Sequence, residues 1–139
     1  MDYKKFNGKI LLRLDKGDEI TESVSKVCTE NNVKFASIDG IGACGSATLG
    51  YYEPDTKVFT KKVFDKGDYE IISLIGNFSL CDGKPYVHMH ISISGSDYRV
   101  FGGHLISAVI SITGEILLTP VGDVSKKYDS NVRAEIIDF

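Results

Sequence analysis

The stretch Tyr69–Ser94, YEIISLIGNFSLCDGKPYVHMHISIS, decides the fold of this 139-residue chain. Two runs rich in apolar and β-branched residues, Tyr69–Leu80 and Tyr86–Ser94, flank the short polar segment Asp82-Gly83-Lys84. An Asp-Gly pair between two such runs is typical of a tight turn that joins antiparallel strands. The stretch therefore predicts a β-hairpin.

Similar runs, separated by turn signals, occupy most of the remaining chain. The other predicted strands are Lys9–Leu14, Val33–Asp39, Ala43–Tyr52, Lys57–Phe64, Tyr98–Phe101, His104–Ile112 and Glu115–Thr119. The predicted turns between them are Lys16-Gly17-Asp18, Pro54-Asp55, Lys66-Gly67-Asp68, Gly95-Ser96-Asp97 and Thr113-Gly114.

One segment has helical rather than strand-like spacing. Between Asp18 and Asn31 the apolar residues fall on one face of a helix, at Ile20, Val24, Val27 and Cys28. Asp18 is the predicted N-cap, and Asn31-Asn32 is the predicted end. One principal helix and many hairpin-linked strands predict an α+β fold, with a mainly antiparallel sheet of about seven or eight strands.

Length and composition predict a single domain over residues 1–139, with a core at about 6–120 and a looser tail at 121–139. The net charge of −3 argues against a protein that binds nucleic acid by electrostatics alone. Three cysteines without a CxxC pair favour reduced thiols and a cytoplasmic protein. No apolar run is long enough to predict a membrane span.

A glycine motif, Gly40-Ile-Gly42-Ala-Cys-Gly45, matches the G-x-G-x-x-G pattern of dinucleotide-binding proteins. That function needs a helix directly after the glycines, but the segment that follows is strand-like. We therefore interpret Gly40 and Gly42 as backbone positions of a bulge or sharp bend. Close backbone approach to a subunit or a ligand is the alternative.

All three histidines of the chain lie within one segment, at His88, His90 and His104. Strand alternation places Val87, Met89, Ile91 and Ile93 on one face and the first two histidines on the other. A hairpin return through Gly102-Gly103 can bring His104 beside them, and these glycines leave space or form an unusual turn. Three imidazoles around an open position are typical of catalytic zinc sites. An inert H-x-H pair on an exposed strand is the simpler alternative.

Three polar residues on neighbouring predicted strands, Glu70, Asn77 and Glu115, are candidates to support the histidines or to line a ligand pocket. Glu70 interrupts an apolar run, and a carboxylate there needs a partner. It could orient a metal-bound histidine. A structural ion pair with Arg13 or Arg99 is slightly favoured.

Several segments together resemble the PPC domain of plants and prokaryotes, which plant proteins carry beside an AT-hook. The matching segments are Leu11–Leu14, Lys16–Ile20, Ile38–Ala43, Tyr69–Ser79, His88–His90, Gly102–Leu105 and Gly114–Ile116. The resemblance implies a homotrimer in which His88, His90 and His104 lie together, in some family members around a metal ion. A divalent metal is therefore expected here, with zinc the first choice, although copper, nickel and iron also bind neutral imidazole. Prokaryotic members are often described as DNA-binding, but this chain is acidic and lacks an AT-hook.

Self-association has independent support in the sequence, because strands such as Tyr69–Leu80 carry apolar residues on both faces and one helix cannot cover a whole sheet. Three functions remain open. The first is a homotrimeric PPC-domain protein with a three-histidine site for a metal or small ligand. The second is a metal-dependent enzyme acting on a small molecule, and the third is a DNA-associated regulator.

Overall fold

The structure, a computed structural model, describes all 139 residues and contains nine strands and one helix. In chain order these are β1 (Asp2–Phe6), β2 (Lys9–Asp15), α1 (Ile20–Glu30), β3 (Phe35–Glu53), β4 (Val58–Phe64), β5 (Tyr69–Cys81), β6 (Lys84–Ser94), β7 (Val100–Gly122), β8 (Ser125–Asp129) and β9 (Ala134–Asp138). The chain is mostly sheet with one short helix, as the sequence predicted.

The sheet closes on itself through its four longest strands. β3 pairs with both β5 and β7, and β6 also pairs with both β5 and β7. β1 and β2 extend the sheet beyond β7, and β4 pairs with β3. All pairs are antiparallel except β5 with β8. The closed ring bends the long strands around a single core of 23 buried residues.

The hairpin predicted at Tyr69–Ser94 is confirmed as β5 and β6. Its turn residues Asp82 and Gly83 both have positive φ angles, 49° and 76°. This backbone twist matches the twist of the flanking strands, which is why an Asp-Gly pair suits the turn. The turn fixes the register that sets Asn77 opposite His88 and Ile75 opposite His90.

Helix α1 covers one face of the sheet with the apolar residues that the sequence placed on one side. Ile20, Val24, Val27 and Cys28 are all completely buried. The N-cap is Glu19 rather than the predicted Asp18, because the Glu19 carboxylate accepts a hydrogen bond from the Glu22 backbone N–H at 2.7 Å. Glu19 also accepts from the Ala108 N–H at 2.9 Å, which ties the helix to β7.

Several predicted strands are parts of longer ones. The predicted strands Val33–Asp39 and Ala43–Tyr52 merge into β3, which begins at Phe35. The turn predicted at Thr113-Gly114 is wrong, since both residues lie inside β7. There Thr113 and Gly114 pair with Asp15 and Leu14 of β2. A glycine that resembles a turn signal remains extended where neighbouring strands satisfy its backbone.

The glycines of the G-x-G-x-x-G motif mark an irregularity in β3, as the bulge interpretation predicted. Pairing with β5 changes register between Gly40 and Gly42. A Cβ atom on Gly40 would lie 2.7 Å from the Glu115 carbonyl oxygen, and one on Gly42 would lie 2.5 Å from the Thr113 carbonyl oxygen. Glycine is needed here because β7 approaches the backbone of β3, and the chain then continues as a strand.

We expect Gly40→Ala to destabilise the protein by about 1–3 kcal/mol, the usual cost of overpacking a well-packed site. The matched control is Gly45→Ala in the same strand, where the new Cβ would meet its nearest atom at an ordinary 3.5 Å. Urea unfolding of both variants measures the difference. Equal midpoints for the two variants would contradict the close approach of β3 and β7.

The segment after residue 121, predicted as a looser tail, forms a second hairpin. β8 and β9 pair from Ser125↔Asp138 to Asp129↔Ala134. β8 also adds to the end of β5, where Leu80 lies opposite Ser125 and Cys81 opposite Lys126. This docking depends on a contact between distant parts of the chain, which local sequence patterns do not encode. No helix in the structure has both the length and the apolar character needed to span a membrane.

Candidate metal centre

The three histidines lie on the face of the sheet that points away from the core, as strand alternation predicted. On β6, Met89 and Ile91 are 1% and 2% exposed, whereas His90 between them is exposed. His90 lies directly opposite His104 of β7. The return from β6 to β7 through Gly102-Gly103 therefore brings His104 beside the H-x-H pair.

The imidazole rings form one cluster. Their centroids are 5.3 Å apart for His88 and His90, 5.2 Å for His88 and His104, and 5.7 Å for His90 and His104. One nitrogen from each ring lies within 4.8 Å of the others. Zinc–imidazole bonds of about 2.0–2.1 Å separate ligand nitrogens by roughly 3.4 Å. Small side-chain rotations can therefore direct all three nitrogens at one ion.

Burial favours the neutral form of two of these rings. It lowers the pKa of His88 to about 4, and the charges of Lys126, His104 and His90 act in the same direction. Burial is also the main cause that lowers the pKa of His104, with a further contribution from His90. Neutral imidazole is the form that binds a metal ion. At neutral pH, His88 and His104 are therefore available as ligands.

The lowered pKa of His88 predicts that the metal-free protein loses stability in mild acid. In the unfolded state, His88 binds a proton below its ordinary pKa of about 6.5. In the folded state, it does so only below about pH 4. The contribution of neutral His88 to the free energy of unfolding is fully present above about pH 6.5 and declines as pH falls towards 4. Urea midpoints measured in chelator at about pH 7.5 and about pH 5 report the decline.

The matched variant for this measurement is His88→Gln, which cannot take up a proton in this range. We expect its urea midpoint to fall less than that of the wild type between the two pH values. The carboxylates that also titrate in mild acid are unchanged in the variant, so the difference isolates His88. An equal decline in both proteins would show that His88 titrates freely when folded.

Asn77 is the predicted supporting residue that lies at the cluster. It is directly opposite His88, so the two side chains share a face. The Asn77 Oδ1 atom is buried and has no hydrogen-bond partner. The preceding residue, Gly76, allows β6 to come close, since a Cβ there would overlap the His88 backbone. An unsatisfied buried acceptor beside an imidazole can fix the orientation of that ring.

The structure places the other two predicted supporting carboxylates away from the histidines. Glu70 is exposed and lies opposite Ser94, at the far end of β6 from His88. It forms no ion pair with Arg13 or Arg99, which contact Asp15 and Asp97 instead. Glu115 lies on β7 opposite Arg13 and Ile41, and it is also exposed.

The predicted backbone glycines divide into two groups. Gly40 and Gly42 belong to the β3 bulge. Gly102 and Gly103 line a groove of about 240 Å³ beside His90, together with Ser73, Ile75, Ile91 and Ser92. A Cβ on Gly102 would lie 3.1 Å from the Ile91 carbonyl oxygen, so glycine keeps this groove open next to the cluster.

Four residues near the cluster were not predicted from the sequence. Phe59 of β4 packs edge-on against His104, with ring centroids 6.1 Å apart. Tyr86 lies 6.3 Å from His88 between ring centroids and donates a hydrogen bond to Glu135 at 3.0 Å. Lys126 lies over the Tyr86 ring at 5.1 Å. Glu135 and Lys126 come from the C-terminal hairpin, so their approach depends on tertiary contacts.

The family of the chain follows from its sequence. The Plants and Prokaryotes Conserved (PCC) domain, another name for the PPC domain, matches residues 1–122. This chain is a PCC-domain protein. No curated protein matches it significantly.

Solved structures share the PCC-domain fold over nearly the whole chain. A candidate DNA-binding protein from Bacteroides thetaiotaomicron is 34% identical, with a TM-score of 0.94 over 99% of this chain and 96% of that one. A PPC protein from Pyrococcus horikoshii is 29% identical, with a TM-score of 0.83 over 99% and 94%. A metal-containing protein from Archaeoglobus fulgidus is 32% identical, with a TM-score of 0.83 over 98% and 97%.

Proposed function

We propose that this PCC-domain protein is a homotrimer that binds one divalent metal ion, zinc, through His88, His90 and His104 of each subunit. The observation that carries the proposal is the convergence of all three histidines of the chain on one outward-facing cluster. Burial keeps two of these rings neutral at neutral pH. The metal-containing relative from Archaeoglobus fulgidus supports the proposal.

The donor set fits a zinc ion better than the hard cations Ca²⁺ and Mg²⁺. The three donors are imidazole nitrogens, whereas calcium and magnesium prefer oxygen ligands. The two carboxylates predicted to support the site, Glu70 and Glu115, are not at the cluster. Asn77 provides the one buried unsatisfied oxygen, and we assign it the role of orienting His88.

Three protein ligands leave a coordination position for a small molecule, which is the arrangement of catalytic rather than structural zinc sites. When bound, the metal supplies Lewis-acid polarisation of that molecule. Phe59 packs edge-on against His104 and adds an apolar ring beside the cluster. The groove lined by Gly102 and Gly103 leaves room beside His90.

Self-association is supported by an exposed apolar groove of about 460 Å³ on the outer face of the sheet. It is lined by Leu11, Asp39, Gly40, Ile41, Ile72, Ser73, Ile75, Glu115 and Leu117. The groove and the histidines are continuous, since one cross-strand row runs through Leu11, Leu117, Asp39, Ile75, His90 and His104. A subunit that covers the groove therefore lies next to the metal centre.

The proposal is tested by metal analysis of protein that was purified without a histidine tag. We expect about one zinc or another transition metal per chain, or stoichiometric uptake of added zinc by calorimetry after dialysis against chelator. No bound metal and no affinity for zinc would refute it. In a parallel assay, salt-dependent binding to an AT-rich duplex would favour the DNA-associated function instead, as the description of the Bacteroides relative suggests.

A further inference from the structure

Lys126 is buried, which is unusual for a lysine. Its side chain belongs to the first strand of the C-terminal hairpin, and the residue is only 5% exposed. Lysine is almost never buried to this extent without a partner of opposite charge. No carboxylate lies within 4.0 Å of its ammonium group, although Lys127 beside it is ion-paired with Asp138 at 2.6 Å.

The nearest groups do not fully balance this charge. The ammonium lies 5.1 Å from the centre of the Tyr86 ring, a cation–π contact. The Glu135 carboxylate favours the charged form of Lys126. However, that carboxylate accepts a hydrogen bond from the Tyr86 hydroxyl at 3.0 Å. The Lys126 ammonium therefore carries a positive charge without an ion-pair partner in the protein.

Lys126 and the histidine cluster share one neighbour, Tyr86. The Tyr86 ring lies 5.1 Å from the Lys126 ammonium and 6.3 Å from the His88 ring, measured to the ring centroids. The C-terminal hairpin thus places a cation beside the histidine cluster.

We propose that Lys126 and the histidine cluster together bind a small molecule that carries a carboxylate or a phosphate group, with Lys126 as the anion-binding residue. The inference rests on the proposed metal site, since a divalent ion adds to the positive charge at the same place. The Glu135 carboxylate repels a second negative charge on the ligand, so ligands with a single anionic group are favoured.

The geometry further assigns a role to the hairpin, which lies outside the residues matched by the PCC domain. Its register places Lys126 opposite Cys81 of β5, directly before the turn into β6. The Tyr86–Glu135 hydrogen bond then fixes the other strand of the hairpin. The hairpin is therefore expected to hold Lys126 beside the histidine cluster.

The test is an anion titration of cobalt(II)-loaded protein, followed by its visible absorption, with acetate and inorganic phosphate as probes. We expect Lys126→Met to weaken binding of the preferred anion by about tenfold or more, because it removes a charge-assisted hydrogen bond. Lys126→Arg should retain much of the affinity. The matched control is Lys127→Met, which removes the same charge from an exposed neighbouring position and should change little. Comparison of the two probes distinguishes a carboxylate pocket from a phosphate pocket.

Metal affinity, measured separately, keeps this inference distinct from the proposed function. Lys126→Met should bind zinc at least as tightly as the wild type, since it removes a repulsive charge. Equal anion affinity in Lys126→Met and wild type would overturn the inference and leave the metal site intact. If the wild type binds no metal, the same titration on metal-free protein, followed by imidazole NMR shifts, must still show the dependence on Lys126. Its absence there, or zinc affinity lost together with Lys126, would also overturn the inference.

Discussion

Replacement of any one of the three histidines by alanine should lower zinc affinity by about 100-fold or more. Loss of a group that merely orients a ligand typically costs about 10–100-fold in metal affinity, and loss of a ligand itself should cost more. The three rings contribute similarly because their centroids are nearly equidistant, at 5.2–5.7 Å. Competition with a chromogenic chelator, on protein without a histidine tag, measures the change for His88→Ala, His90→Ala and His104→Ala.

A thermal readout separates ligand loss from misfolding. A ligand at about 1,000 times its dissociation constant stabilises the folded state by about 4 kcal/mol, so zinc should raise the wild-type Tm by several degrees. We expect each alanine variant to fold in chelator and to gain little from the same zinc concentration. His90→Ala is the cleanest of the three, since His90 is exposed and its loss removes little packing.

The control for these variants is Ser92→Ala. Ser92 follows His90 by two residues, projects from the same face of β6 and lies opposite Gly102. It has a polar side chain at the edge of the cluster but is not one of the three ligands. Its zinc affinity should equal that of the wild type. If the histidine variants also bind zinc as tightly as the wild type, the cluster is not the metal site.

The histidine cluster could be predicted because it depends on two local rules. Strand alternation separates His88 and His90 from Met89, and a hairpin return brings His104 opposite His90. Both rules involve residues within 17 positions of one another, from His88 to His104. The same locality explains the hairpin at Asp82-Gly83 and the buried face of α1.

The features missed from the sequence depend on contacts between distant residues. Lys126 reaches the site because β8 joins β5, and no periodicity in residues 121–139 indicates which strand that hairpin joins. Glu19 replaces Asp18 as the N-cap because its carboxylate also reaches the backbone of Ala108, 89 residues away. Gly114 resembles a turn residue locally, but its pairing with Leu14 keeps β7 extended. Local signals thus predict which elements form, whereas tertiary contacts decide where long strands end.

The proposed trimer predicts that Ile41→Asp produces a monomer. Ile41 lies at the centre of the exposed apolar groove and is 57% exposed in the isolated chain, and Ile72 and Ile75 beside it are 53% and 57% exposed. A stable interface buries at least about 1,200 Å² in total, and an unpaired carboxylate at its centre costs several kcal/mol. Symmetry repeats this cost at every interface. By sedimentation, the wild type should have three times the 15.3 kDa chain mass and the variant one.

The matched control is Val132→Asp, which introduces the same charge at a residue that is 59% exposed in the turn between β8 and β9. This variant should remain trimeric. Circular dichroism of Ile41→Asp should match the wild type, because Ile41 projects outwards from the 23-residue core. A monomeric wild type would refute the trimer. A trimeric Ile41→Asp would place the interface outside the groove that shares a cross-strand row with His90 and His104.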